Sequence, residues 1–245
     1  MNKKSSILCV GVLAFGSLPI ADASNITLDF NSLPSAQGFT YISIGPSVNE
    51  GSIFSVNGNL LQQNTLGVPF TGSGDSWYNM YNAVNPLLPY TLTITARVTD
   101  EVSSNPANLC GLSFGASSGN GISYMCVGTS KTEIDSPING VATATYYSSN
   151  NTQFNTYTIV GTPSLDTKYY VNGTLIATLQ PRTDDLSYYN NLSIFLGDGT
   201  GGSRAAADIS FFQFSQSAAP IPAAIWMVGS ALVGLVGFAR CKLPL

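Results

Sequence analysis

The feature that most constrains the fold of this chain is a series of short β-branched and aromatic runs separated by turn residues. The clearest run, residues 90–98, alternates strictly between apolar or aromatic residues at even positions and threonines or Arg97 at odd positions. This period of two predicts a strand with one buried face and one solvent face. Turn residues recur about every 8 to 12 positions along most of the chain, a spacing typical of a β-sandwich.

Other runs extend this pattern over the central part of the chain. We expect further strands at 26–30, 53–56, 141–147, 157–160, 168–171, 174–179, 192–196 and 207–214. Asn172-Gly173 lies between two of these runs and predicts a tight hairpin, because both central positions of such a turn need positive φ. Asn57-Gly58 predicts a similar turn. Residues 62–89 show no clear strand pattern and are expected to form an irregular loop.

Composition excludes several classes of function. The chain has 9 Lys and Arg against 13 Asp and Glu, a net charge of -4. Nucleic-acid binding needs a clustered basic patch, so we expect no nucleic-acid partner. The chain contains no histidine. This excludes a Ser-His-Asp or Cys-His catalytic arrangement and any zinc site with imidazole ligands.

Both ends of the chain are apolar. Two lysines precede the run 7–20, and the small-x-small triplet 21–23 follows it, which predicts a signal peptide over 1–23. Residues 218–239 carry no charge and are long enough for one transmembrane helix, with basic residues following at once. We therefore divide the chain into a signal peptide (1–23), an exported β-sandwich domain (24–217) and a membrane-spanning tail (218–245).

Cys110 and Cys126 are the two cysteines of the predicted exported domain. In an oxidising compartment an even pair predicts a disulfide. A hairpin loop centred on Ser118 would place them directly across from each other, at the short distance that a disulfide needs. The alternative is two free buried thiols.

The tail carries a recognisable set of residues, Pro220, Pro222, Trp226, Arg240 and Lys242. This set resembles the PEP-CTERM sorting signal of bacteria. In that family a membrane-embedded exosortase recognises and cuts the signal, often in species that make exopolysaccharide. The resemblance implies an exosortase-like partner and a protein held in the membrane before it reaches the cell surface or the medium. The alternative is a plain membrane anchor.

The second half of the exported domain carries its own resemblance. Its succession of a strand, a Tyr-x-Asn-Gly hairpin and terminal strands, over 154–160, 169–175, 192–197 and 209–214, is similar to a concanavalin A-like (laminin-G-type) jelly roll. The resemblance implies an all-β, antiparallel jelly-roll sandwich. An immunoglobulin-like sandwich is the structural alternative.

Sugar sites on such sandwiches combine an aromatic platform with amide and carboxylate groups, sometimes around calcium. Trp77, Tyr78 and Tyr81 lie in the expected irregular loop and are the candidate ligand-binding residues. Asp198, in the glycine-rich segment 197–203, is the candidate calcium ligand, with a plain turn as the alternative. We expect no other cofactor.

Glycanases of this fold share a Glu-x-Asp-x-(x)-Glu strand, which Glu133-Ile134-Asp135 matches only in part. The second glutamate is missing and Pro137 would break the strand, so a solvated loop is expected here and no enzyme activity. We expect an exported surface or matrix protein that binds or associates with exopolysaccharide. The alternatives are a structural or adhesive surface protein and a glycanase.

Overall fold

The structure is a computed structural model that describes residues 24–44, 48–70, 76–104, 110–119, 121–138, 141–162, 165–183, 192–199 and 202–217. The described chain is almost entirely strand. The strands are β1 (Asn25–Leu28), β2 (Thr40–Ser43), β3 (Phe54–Asn57), β4 (Leu60–Asn64), β5 (Ser76–Met80), β6 (Tyr90–Ser103), β7 (Leu112–Ser117), β8 (Ile122–Val127), β9 (Lys131–Ile138), β10 (Val141–Ser148), β11 (Asn155–Thr162), β12 (Leu165–Val171), β13 (Thr174–Leu179), β14 (Ile194–Asp198) and β15 (Ser203–Gln216). A one-turn helix α1 (Glu50–Ile53) and a 3-10 turn (Pro34–Gln37) complete the described elements.

The strands form two antiparallel sheets. The eight-stranded sheet has the order β13-β12-β11-β6-β15-β4-β3, with β1 also paired to β15. The seven-stranded sheet has the order β10-β9-β8-β7-β14-β5-β2. Side chains from both sheets meet in one apolar core, so the fold is a two-sheet sandwich, as the strand pattern predicts.

The alternation in β6 is confirmed. The even-numbered residues from Tyr90 to Val98 are buried in the core between the sheets, while Thr93 and Thr95 lie on the other face. Strand β6 pairs with β11 on one side and β15 on the other, which places it at the centre of its sheet.

Of the two predicted turns, one is confirmed and the other lies one residue further along the chain. Asn172 and Gly173 join β12 to β13 with φ of 50° and 76°. The turn between β3 and β4 uses Gly58 and Asn59, with φ of 58° and 64°, rather than Asn57 and Gly58. The predicted dipeptide was therefore one residue too early.

The predicted disulfide is present, but the register behind it was wrong. Cys110 and Cys126 are bonded, with their Cα atoms 5.3 Å apart. In the β7–β8 hairpin, however, Cys126 lies opposite Ser113, and Cys110 precedes β7. The bond therefore joins a strand to the segment that leads into its neighbour.

Two predictions of irregular structure are also wrong. The stretch 62–89 contains most of β4 and all of β5. Four of the five β5 residues are buried, and they belong to both faces of the strand. A strand covered on both faces shows no alternation, which is why the sequence pattern misses it. Lys131–Ile138 forms β9, although a loop was expected around Glu133 and Asp135.

Proline at position 137 is tolerated because of where it lies in β9. Strand β8 pairs with β9 only at Thr132 and Glu133. From Ile134 to Ile138 the described partner is β10 alone, with Pro137 opposite Ala142. A residue without an N–H group is accommodated where one side of the strand has no neighbouring ladder.

The predicted signal peptide 1–23 and the tail, with Pro220, Pro222, Trp226, Arg240 and Lys242, lie outside the described residues. Within the described residues, no helix is long and apolar enough to span a membrane.

Candidate functional site

The outer face of the seven-stranded sheet, which points away from the other sheet, carries a row of side chains that crosses the sheet. Tyr78 and Leu196 point into the core, so their neighbours Trp77 and Gly197 belong to the outer face. Strand register aligns this central row as Ile42, Trp77, Gly197, Ser113, Cys126 and Glu133. The middle of the row consists of small residues, of which Ser113 and Cys126 are buried.

The next row contains a glycine that lets two aromatic rings lie close to the sheet. Gly115 pairs with Phe195 on one side and Tyr124 on the other. A Cβ atom at Gly115 would lie 2.6 Å from Tyr124 Cβ and 2.8 Å from Phe195 Cζ. Any side chain at this position would therefore displace the rings.

These aromatic residues form an apolar cluster separate from the main core. Its buried members are Trp77, Ile122 and Phe195, with Tyr124 packed against them. The rings of Tyr124 and Phe195 are 6.5 Å apart at an interplanar angle of 52°. At the rim, Arg182 Nη1 donates to the hydroxyl oxygen of Tyr124 at 3.1 Å.

Polar atoms beside this cluster are buried without hydrogen bonds. They are Trp77 Nε1, Asn79 Oδ1 and Nδ2, Ser117 Oγ and Ser193 Oγ, and none has a partner among the described residues. Trp77 is 4% exposed and Asn79 is 1% exposed, so solvent does not satisfy them in this conformation. Strand alternation places all four side chains on the outer face. Most buried polar groups in native proteins are paired, so this concentration needs a physical explanation.

The arrangement has the chemistry of a site for a polyhydroxylated ligand. The indole N–H donates, the amide both donates and accepts, and each serine hydroxyl does either. Ring faces beside them supply the apolar surface that small-molecule sites combine with a few placed polar groups. A ligand that reached these atoms would have to uncover Trp77 and Phe195, which are buried in this conformation.

The three predicted ligand-binding aromatics do not form one group. Trp77 and Tyr78 are adjacent in β5 and therefore point to opposite faces, while Tyr81 follows the strand and is 41% exposed. Tyr78 is in the core, where its hydroxyl donates to Glu50 Oε1 at 2.7 Å. Burial, and next the hydrogen bond to Glu50, raise the pKa of the Tyr78 phenol above its usual value. Tyr78 is therefore a core residue, and Trp77 is the one on the candidate site.

Asp198, the predicted calcium ligand, points into the molecule. Its carboxylate accepts a hydrogen bond from Thr65 Oγ1 at 2.6 Å and lies 3.8 Å from Arg204 Nη1. Both charged side chains are fully buried. No cluster of three or more acidic, cysteine or histidine side chains occurs within the described part of the chain. The described contacts of Asp198 are those of a buried ion pair.

Sequence reasoning missed Asn79, Ser117, Ser193 and Phe195. Phe195 lies in a predicted strand. The apolar residues beside it indicated that a strand forms there, but not which face of the sheet Phe195 occupies. The other three are ordinary polar residues in sequence. Their significance comes from burial without partners, which no local pattern reveals.

No protein-family model matches the chain, and no curated protein matches it. Its structure is similar to the carbohydrate esterase of Shiga toxin-encoding bacteriophage phi24B (TM-score 0.54, 10% identity, 80% of this chain and 100% of that one). It is also similar to a protein of unknown function from Shewanella oneidensis MR-1 (TM-score 0.51, 14% identity, 81% and 89%). A third is an endo-1,3-β-glucanase from Streptomyces sioyaensis (TM-score 0.51, 14% identity, 83% and 100%).

These likenesses correct one prediction. The expectation that the chain is not an enzyme is contradicted, because solved structures with this architecture include a carbohydrate esterase and a glucanase. The sequence identities of 10% and 14% extend the likeness to the fold alone. The chain has the two-sheet antiparallel β-sandwich fold that these proteins share.

Proposed function

We propose that this protein is an exported bacterial surface or matrix protein that binds carbohydrate on the outer face of its seven-stranded sheet. The observation that carries the proposal is the set of buried polar atoms without partners on Trp77, Asn79, Ser117 and Ser193. Sugar hydroxyls both donate and accept hydrogen bonds, so a sugar ring satisfies such a set while its C–H face packs on the aromatic rings. The ligand is a neutral polysaccharide, because all four of these side chains are uncharged.

Export and sorting are part of the same proposal. The Cys110–Cys126 disulfide supports an oxidising compartment. The sequences of 1–23 and 218–245 support a signal peptide and an exosortase-type sorting signal with a membrane anchor. The resemblance of the domain to a concanavalin A-like jelly roll supports a glycan as the partner outside the cell.

Cleavage of the bound glycan is a second candidate function, favoured by the position of Glu133. Its neighbours Thr132 and Ile134 are buried, and Glu133 pairs with Cys126 at the end of the central row. Glu133 lies in the same row as Trp77, four strands away. A carboxylate on the sugar-binding face is a group that glycoside hydrolysis needs, together with a second carboxylate. Release of new reducing ends that is lost in Glu133→Gln would support this candidate.

The test is binding of the full chain, in detergent, to a panel of soluble neutral polysaccharides such as β-1,3-glucan and dextran. The informative variant is Trp77→Phe, which keeps an aromatic ring and removes the indole N–H. Truncation to alanine is avoided because deleting a buried tryptophan costs about 3–5 kcal/mol of stability. We expect binding about tenfold weaker, the effect of losing one hydrogen bond of about 1.4 kcal/mol.

Thr95→Val is the matched control, because it removes one hydroxyl from the outer face of the other sheet. It is expected to bind like the unchanged chain. Absence of binding to every neutral polysaccharide, or equal binding by Trp77→Phe, would overturn the proposal and favour a structural or adhesive role.

A further inference from the structure

The two ends of the described domain leave it side by side. Strand β1 begins at Asn25, opposite Ser215 near the end of β15. One residue further out, the backbone N–H of Gln216 donates to the carbonyl oxygen of Ser24 at 2.8 Å. Ser24 would be the first residue after signal-peptide cleavage. The sequence from Ala218 onwards is the proposed membrane span.

Gln216 also fixes the loop formed by residues 83–89. Its side-chain Oε1 accepts from the backbone N–H of Asn85 at 2.7 Å. Its Nε2 donates to the carbonyl oxygens of Asn85 at 3.0 Å and of Leu88 at 3.2 Å. The last strand residue before the tail therefore holds this loop at the same end of the sandwich.

The loop presents apolar side chains to the surroundings. Leu87 is 80% exposed, whereas its neighbour Leu88 is buried. Tyr81, which precedes the loop after the end of β5, is 41% exposed. The sequence from Tyr81 to Tyr90 contains no charged residue. An uncharged surface with an exposed leucine and a tyrosine suits the boundary between lipid headgroups and acyl chains.

The proposed span begins close to this loop. Ala218 follows Gln216 by two residues, and each residue extends the chain by at most about 3.6 Å. The first residue of the span therefore lies within about 7 Å of Gln216, which itself contacts the loop. A domain tethered this closely cannot move far from the bilayer surface.

We infer that this end of the sandwich rests on the lipid surface of the membrane that holds the tail. Leu87 and Tyr81 are the side chains that contact the lipid first. The inference rests on the proposed membrane anchoring and names the surface through which the anchored domain contacts lipid. Strand β6 leads away from this end, so Val102 lies about 40 Å from Tyr90. The seven-stranded sheet then stands beside the membrane, so its outer face does not lie against the lipid.

The test uses the full chain reconstituted in vesicles of phosphatidylethanolamine and phosphatidylglycerol. Leu87→Cys and, as the matched control, Val102→Cys are each labelled with a fluorescent bimane. Val102 is an exposed aliphatic residue, 38% accessible, at the far end of β6. Cys9 and Cys241 are replaced by serine in both variants, and labelling without reductant preserves the Cys110–Cys126 disulfide.

We expect nitroxide lipids to quench the label at position 87 at least about fivefold more strongly than the label at position 102, and aqueous iodide to give the reverse order. Equal quenching of both labels, in chains that float with the vesicles, would overturn the inference while leaving the anchor intact. Failure of the chains to float would overturn the anchoring proposal and this inference with it. Neither result bears on carbohydrate binding.

Discussion

The outer faces of the two sheets differ in whether their polar side chains are hydrogen-bonded. On the eight-stranded sheet, the hydroxyls of Thr95 and Thr156 are 2.9 Å apart and hydrogen-bonded. Arg97 and Asp208 form an ion pair at 2.7 Å, with side chains 37% and 11% exposed. These side chains are partly exposed to solvent, and they also satisfy one another.

On the seven-stranded sheet, the corresponding face is covered, and the polar groups of Trp77, Asn79, Ser117 and Ser193 have no partner among the described residues. Asn79 leaves both its amide oxygen and nitrogen without hydrogen bonds among the described residues, although it is almost fully buried. The two outward faces of the sandwich therefore differ in how far the protein itself satisfies their hydrogen-bonding groups. Water satisfies the polar groups of the first face, whereas the proposed carbohydrate would supply hydrogen-bonding groups to the second.

The largest expected effect comes from breaking the glycine contact under the aromatic rings. Gly115→Ala would place Cβ against the backbone of Ser123 and 2.6 Å from Tyr124 Cβ. We expect the free energy of unfolding to fall by about 1–3 kcal/mol, because backbone and rings must shift. Urea denaturation measures the loss.

Gly51→Ala in α1 is the control, since no described atom lies within 4 Å of a Cβ there. It is expected to leave the urea midpoint nearly unchanged. Equal midpoints for both variants would show that the rings do not lie close above Gly115.

The next prediction is a gain in stability, and it tests the amide group of Asn79, which has no described partner. Asn79→Leu keeps the approximate volume and removes two buried polar atoms that have no described partner. We expect the ligand-free protein to gain about 1–2 kcal/mol in unfolding free energy, because the desolvation cost of the amide disappears. Carbohydrate binding should fall at least about tenfold in the same variant.

Thr95→Val is the comparison on the other face, where the hydroxyl has a partner. Losing that cross-strand pair should lower stability by less than about 1 kcal/mol. If Asn79→Leu and Thr95→Val destabilised the protein equally, the two faces would not differ in whether their polar groups are satisfied.

The smallest effect concerns the exposed ion pair. Arg97→Gln should cost about 0.2–1 kcal/mol, because solvent screens the Arg97–Asp208 attraction and Asp208 keeps its hydrogen bond from Gln62 at 3.0 Å. Thermal unfolding at low and high salt measures this. The difference between variant and parent should shrink as salt is added, and a salt-independent loss would mean that packing of Arg97 on Phe154 dominates instead.

Sequence predicted the elements whose information is local. The alternation of residues 90–98 is confirmed in β6, and Asn172-Gly173 forms the expected hairpin because both residues adopt positive φ. It missed β5, which is buried on both faces, and β9, where β10 is the one described strand that pairs with the segment around Pro137. The disulfide was predicted correctly from residue count and compartment, but its register was not.

The candidate site was predicted only through Trp77. Tyr78 occupies the core and Tyr81 lies beyond the strand, because successive residues of β5 face opposite ways. Asp198 pairs with Arg204 from β15 and accepts from Thr65 after β4, contacts between segments far apart in sequence. No local pattern carries that information.

The sequence by itself determined the fold class, the main hairpin and the absence of histidine chemistry, because propensity, period and composition act within a few residues. Its ends also predict export and anchoring. Tertiary structure alone decided which strands became neighbours, and hence that Trp77, Asn79, Ser117 and Ser193 share one buried face. Whether a polar group finds a partner depends on what the rest of the chain brings beside it, which is settled only when the sheets close over their core.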